Sequence, residues 1–198
     1  MASRGPAEPA PPTLAEEDEA ELLALARAAV EATVRRGPLP RPSPDRLSPA
    51  LLGPAAAFVT LHEGGELRGC MGRLDPGTPL WENVLLAGAM AAASDPRFEP
   101  VAEFELDRIR LEVSVLGATV ELPAPSAFEA RRHGIIVERG GRRALLLPQV
   151  AAELGWDEAT TLDAVCQKAG LPRDAWRHEG TRLYAFLATP IAEPGFRG

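Results

Sequence analysis

The sequence predicts an α+β fold, with mainly antiparallel sheets and flanking helices, and three observations carry that expectation. Two short apolar runs each fold back on a Gly-Gly pair, at Gly64-Gly65 and at Gly140-Gly141, which is the pattern of a β-hairpin. The stretch from Arg108 to Gly117 alternates cleanly: Ile109, Leu111, Val113 and Val115 face one way, Arg108, Arg110, Glu112 and Ser114 the other. That is a strand buried on one face. Helical patterns and hairpins follow one another without the strand–helix–strand rhythm that builds a parallel sheet.

Taken in order, residues 1–13 are rich in Pro and Ala and have too little apolar surface to pack, so they read as a disordered tail. Thr13 to Glu16 has the form of a capping box, opening a helix whose apolar stripe is Leu22, Ala26, Ala29 and Val30. Glu16 to Glu19 suit the positive end of its dipole, and Gly37-Pro38 stops it. Five prolines between Pro38 and Pro49 make a surface connection. Ala57 to His62 and Leu67 to Arg73 form the first hairpin. Thr78-Pro79 starts a second helix, Thr as cap and Pro as first residue, which ends at Asp95-Pro96. After the alternating strand come a helical piece near Ser126 to Arg132 and the second hairpin, Ile135 to Val137 with Ala144 to Leu147. Pro148 opens a short helix, and Asp157 caps another that Gly170 terminates. Thr181 to Thr189 reads as one last strand.

With 198 residues the chain can bury roughly 70% of its unfolded surface, enough to fold without a disulfide or a metal. The net charge is −7, and the bases cluster only as the pairs Arg131-Arg132 and Arg142-Arg143. Nucleic-acid binding needs basic residues concentrated on phosphates, so it is not expected. No apolar run approaches the ~20 residues that span a bilayer, and Met1 to Pro12 has no apolar stretch of the kind a signal peptide needs. The expected compartment is the cytoplasm, where Cys70 and Cys166 stay reduced. His62, His133 and His178 are scattered without metal-ligand spacing, so neither a metal nor a cofactor is expected.

The most informative local feature is Leu67-Arg68-Gly69-Cys70-Met71-Gly72, LRGCMG. On a regular strand Arg68, Cys70 and Gly72 share one face. Two glycines inside a strand weaken it, which makes sense if a ligand or another segment comes close to the backbone there. A guanidinium beside a thiol favours the reactive thiolate. Cys70 is therefore a candidate nucleophile, redox thiol or ligand-holding group, with Arg68, Gly69 and Gly72 around it; the same residues also suit a tight packing site with Cys70 as a small apolar side chain. His133, before Gly134, is a candidate base for Cys70 if the fold joins them, and otherwise a capping residue. Asp95 and Arg97 are candidates for the polar edge of a cleft, or a plain helix stop with Arg97 pinned by an acid. Arg68 is expected to reach solvent, an acid such as Glu112, or a bound anion.

Together, Phe58 to Leu61, Leu67 to Gly72, Asp95 to Val101, Glu112 to Leu116, His133 to Val137, Leu146 to Val150 and Cys166 to Pro172 resemble the AMMECR domain family, also called protein A of the AmmeMemoRadiSam system. Met71 stands where that family usually has Ile. The resemblance implies one AMMECR domain over residues 14–193, between the tail and a short end at 194–198, with a larger and a smaller subdomain sharing a core. It implies a protein of unestablished activity that works as an accessory or small-molecule- or partner-binding component beside a radical-SAM enzyme and a Memo-type protein, with its site at LRGCMG. The alternative is a cysteine-dependent enzyme using Cys70.

Overall fold

In the computed structural model, which describes residues 10, 12–74 and 77–196, the chain forms five helices and eight strands. They are α1 (Glu16–Val34), α2 (Pro49–Leu52), β1 (Ala57–Glu63), β2 (Glu66–Arg73), α3 (Leu80–Ala93), β3 (Ile109–Leu116), β4 (Val120–Glu121), β5 (Gly134–Arg139), β6 (Arg142–Leu146), α4 (Pro148–Glu153), α5 (Glu158–Lys168), β7 (Arg182–Phe186) and β8 (Ala188–Ala192). Two four-stranded antiparallel sheets with flanking helices make this the α+β architecture that the alternation and hairpins predict. Residues 1–9, most of the expected tail, and 197–198 lie outside the described residues.

The chain divides into a larger unit, Thr13–Leu116 with Thr189–Gly198, and a smaller one, chiefly Gly117–Ala188. In the larger unit the sheet order is β2-β1-β3-β8, so β2 is an edge strand. Helices α1 and α3 pack on one another and on this sheet. The sheet presents Val59 and Leu61 of β1 and Ile109, Leu111, Val113 and Val115 of β3 to that core, all of them fully buried. Leu22, Ala26 and Val30 of α1 and Val84 and Ala87 of α3 complete it. The smaller unit has sheet order β4-β7-β5-β6, with α5 against β5 and β6. Its core contains Phe128, Ile135, Val137, Leu162, Val165 and Cys166.

Several boundaries differ from the sequence expectation, for local reasons. α1 starts two residues late: Ala15 is its cap position, and the Asp18 carboxylate, three residues on, accepts the Ala15 N–H at 3.2 Å, the bond that Glu16 was expected to make to Thr13. Pro79 is the cap residue of α3 rather than its first turn. The helical piece at 126–132 shrinks to a single tight turn, Pro125–Ala127. The expected strand at 181–189 is two strands, β7 in the smaller unit's sheet and β8 in the larger unit's. The chain changes sheet at Leu187, and a continuous apolar pattern carries no mark of such a change. Asp157 does cap α5, its carboxylate accepting the Thr160 N–H at 2.8 Å. Among the described residues no helix is long and apolar enough to cross a membrane, and no group of three or more acidic, His or Cys side chains is placed to hold a metal ion.

Candidate functional site

The site is built on the free edge of the larger unit's sheet. β1 and β2 pair in antiparallel register from Ala57 opposite Arg73 to Leu61 opposite Gly69, and then the register slips, so that His62 faces Leu67. Arg68 is the extra residue of a β-bulge. Alternation alone places Arg68 with Cys70 and Gly72; the bulge takes it out of that row. Its guanidinium runs instead to the segment after α3, with Nε and Nη2 donating to the Glu105 carboxylate at 2.8 and 3.1 Å and Nη1 to the Glu99 carbonyl at 2.9 Å. Nη2 also donates to the Pro100 carbonyl at 3.4 Å. Glu105 is 7% exposed, and its second oxygen accepts the Ala102 N–H. These bonds to Arg68 hold the Glu105 carboxyl below its usual range, against the opposing effect of burial. The acid that answers Arg68 is therefore Glu105 and not Glu112.

Cys70 is half-buried and sits opposite Thr60, whose hydroxyl donates to Sγ at 3.4 Å. Thr60 is in turn opposite Glu112 on β3, so Glu112, Thr60 and Cys70 form one row across three strands. Two strand spacings separate Glu112 from Cys70, about 10 Å. Glu112 accepts the Ser114 hydroxyl at 2.9 Å.

The group that stands at Cys70 is the Asp95–Arg97 pair. Because β2 is an edge strand, the outward backbone groups of Cys70 need partners from outside the sheet. The Asp95 carboxylate accepts the Cys70 N–H at 2.8 Å, and Arg97 Nη2 donates to the Cys70 carbonyl at 3.3 Å. Asp95 also accepts the Arg97 N–H, Nε and Nη2 at 3.1, 2.9 and 2.7 Å. Its side chain is 2% exposed, and the Arg97 guanidinium, seconded by the Cys70 and Arg97 amides, holds its carboxyl near pKa about 2 despite burial. Arg97 itself is 53% exposed and lies over the Phe98 ring at 5.4 Å. The Cys70 side chain follows Asp95 among the groups that keep this guanidinium charged. The guanidinium beside the thiol is thus that of Arg97.

Both glycines of the motif have a steric explanation. A Cβ on Gly69 would overlap the Ala91 carbonyl oxygen of α3, and a Cβ on Gly72 would overlap the ring of Phe58 directly across the ladder. What comes close to the backbone at these two positions is the protein itself. His133 belongs to the smaller unit, where it is 5% exposed; its Nδ1 accepts the Glu129 N–H at 3.2 Å and its ring lies 6.3 Å from that of Phe128. It closes the 129–133 turn as a capping residue. Sequence reasoning missed Thr60 and Glu105, and nothing in their spacing marks either one.

A family model described as AMMECR1 matches residues 23–191. A protein of Aeropyrum pernix is 43% identical over 95% of this chain and 84% of its own length, and one of Methanothermobacter thermautotrophicus is 43% identical over 92% and 97%. The crystal structure of uncharacterized protein PH0010 from Pyrococcus horikoshii superposes with a TM-score of 0.86 at 38% identity, covering 91% of this chain and 94% of that one.

Proposed function

The chain belongs to the AMMECR1 family, and on that premise we propose that it is an accessory or binding component working beside a radical-SAM enzyme and a Memo-type protein. Its contact surface is the LRGCMG edge, with Arg97 and Cys70 at its centre and Arg68, Gly69, Gly72 and Asp95 as the frame. The observation that supports this reading is how Asp95 is used. Both its oxygens are occupied by four hydrogen bonds, and its carboxyl sits near pKa about 2, so beside Cys70 it is a poor proton acceptor at neutral pH. A cysteine nucleophile needs a base that can take up the proton, and this acid holds backbone in place instead. Glu112 stands two strands off, and His133 is engaged with its own turn.

A second reading rests on the Arg97 guanidinium standing beside Cys70, where a positive charge favours a thiolate and hence a cysteine-dependent enzyme. One experiment separates the two. Purified chain is mixed with a purified radical-SAM enzyme and a purified Memo-type protein from the same organism, and co-elution is followed for native protein, Cys70→Ser and Arg97→Gln. The accessory reading expects a complex with native chain and with Cys70→Ser, and about tenfold weaker association with Arg97→Gln. A covalent adduct on Cys70 that forms and turns over in intact-mass spectra, or no complex with native chain, would overturn it in favour of the enzyme.

A further inference from the structure

At the hairpin end of the same sheet is a hollow of about 310 Å³ lined by His62, Gly64, Gly65, Arg108, Arg110 and Gly195. Among the described residues its lining has cationic and neutral groups and no carboxylate. Arg108 is already engaged: it pairs with Glu63 at 2.9 Å and lies over the Phe104 ring. Arg110 is not. Its Nη1 donates to the Asp107 and Ile109 carbonyls at 3.0 and 2.9 Å, which pins the side chain, while its Nε and Nη2 make no hydrogen bond among the described residues. The Nε–Nη2 edge is the one that meets a carboxylate or phosphate with two parallel bonds. Gly64 and Gly65 turn with φ of +63° and +91°, and nothing stands within 4 Å of where their side chains would be. Neither of their amides donates a hydrogen bond among the described residues. His62, opposite Arg110 across the ladder, stacks on Phe196 at 4.7 Å and walls one side.

We infer that this hollow is a binding subsite for the phosphate or carboxylate group of a small soluble molecule, held bidentately by Arg110 and by the glycine-turn amides. The inference is independent of the accessory reading, since it uses neither Cys70 nor a protein partner. The net charge of −7 argues against a polyanion as the source of that group.

The test follows the amide resonances of isotopically labelled full-length chain during titration with inorganic phosphate, and separately with acetate, at constant ionic strength. Saturable shifts of the Gly64 and Gly65 amides are expected, with a dissociation constant on the order of millimolar for so small a probe. Arg110→Gln is expected to weaken phosphate binding about tenfold, Arg110→Lys to lie between it and native, and Arg41→Gln, at an exposed arginine elsewhere, to match native. Because the native titration stands by itself, a poorly folded Arg110→Gln leaves the test intact. No saturable shift at Gly64 and Gly65 with either probe, or equal shifts in Arg110→Gln, would overturn the inference. Arg110-dependent sedimentation with phosphatidic acid vesicles would also overturn it, in favour of a lipid headgroup.

Discussion

Asp95 carries more of the site than any other single residue, and its charge can be removed without changing its shape. Its carboxyl is held near about 2, below the ordinary 3.8 of an unfolded aspartate, so the stability it provides is complete above that ordinary value. It is lost as pH falls from there through about 2. Asp95→Asn is expected to lower stability by about 1–2 kcal/mol near neutral pH, an amount reduced from the full linkage value because Arg97 is half exposed. Urea titrations should show the gap between native and variant closing as the pH is lowered through that window; a constant gap would mean that the carboxylate is not the source. The two thiols should differ as sharply. Cys166 is fully buried and burial pushes its thiol up, whereas Cys70 is half-buried beside a guanidinium. Brief iodoacetamide treatment of native protein should label Cys70 first and Cys166 only after unfolding, as read by peptide mass. That a guanidinium belongs at Cys70 was legible in the sequence, but which one was not. Arg68 and Cys70 are two apart on a strand, and only a bulge, invisible to alternation, sends Arg68 to Glu105 and leaves Arg97 at the thiol.

The two glycines of β2 face different neighbours, and that difference is measurable. At Gly69 the obstruction is main chain of α3, which cannot move without shifting the helix; at Gly72 it is one phenyl ring, which can rotate. Gly69→Ala is expected to destabilise by roughly 2–3 kcal/mol and Gly72→Ala by about 1 kcal/mol, in urea unfolding of each variant. Equal costs would show that α3 yields as easily as a side chain. Breaking the partner contact should also register: Glu105→Gln removes one charge from a pair whose side chains are 17% and 10% exposed, and is expected to cost roughly 2–3 kcal/mol. Strand and helix identities were mostly readable, because Ile109 to Val115 and Leu162 to Ala169 carry unambiguous periods. Caps were less readable. Thr13 and Thr78 are good cap residues by type, yet the chain enters α1 and α3 one or two residues later, at Ala15 and Pro79, neither of which caps its helix with a side-chain hydrogen bond.

For the molecule as a whole, the smaller unit's main segment leaves the larger unit after Leu116 and returns at Thr189, into strands β3 and β8 that neighbour one another in a single sheet. The Gly117 N–H donates to the Leu187 carbonyl at 2.8 Å, so the two ends of the excursion already meet. The larger unit's core, from Leu22 through Val115 to Ile191, draws on its own residues throughout. Replacing residues 118–186 with a short Gly/Ser turn is therefore expected to leave a protein that unfolds cooperatively, with Cys70 labelled as readily as in the full chain. A random-coil circular dichroism spectrum would refute this. The insertion could not be read from the sequence: β7 and β8 form one apolar stretch, and which sheet each joins depends on distant upstream partners, β4 and β5 for the one and β3 for the other.

The way Asp95 and Arg97 engage Cys70 also bears on colloidal behaviour. A bare strand edge is the surface on which one chain recruits another into a shared sheet, and through it into fibrils. On β2 the outward amide and carbonyl at Cys70 are taken by two side chains of a neighbouring turn, which stand in for a ninth strand without being one. A single carboxylate with a pKa near about 2 thus guards that edge against polymerisation throughout the physiological range and gives way only in strong acid.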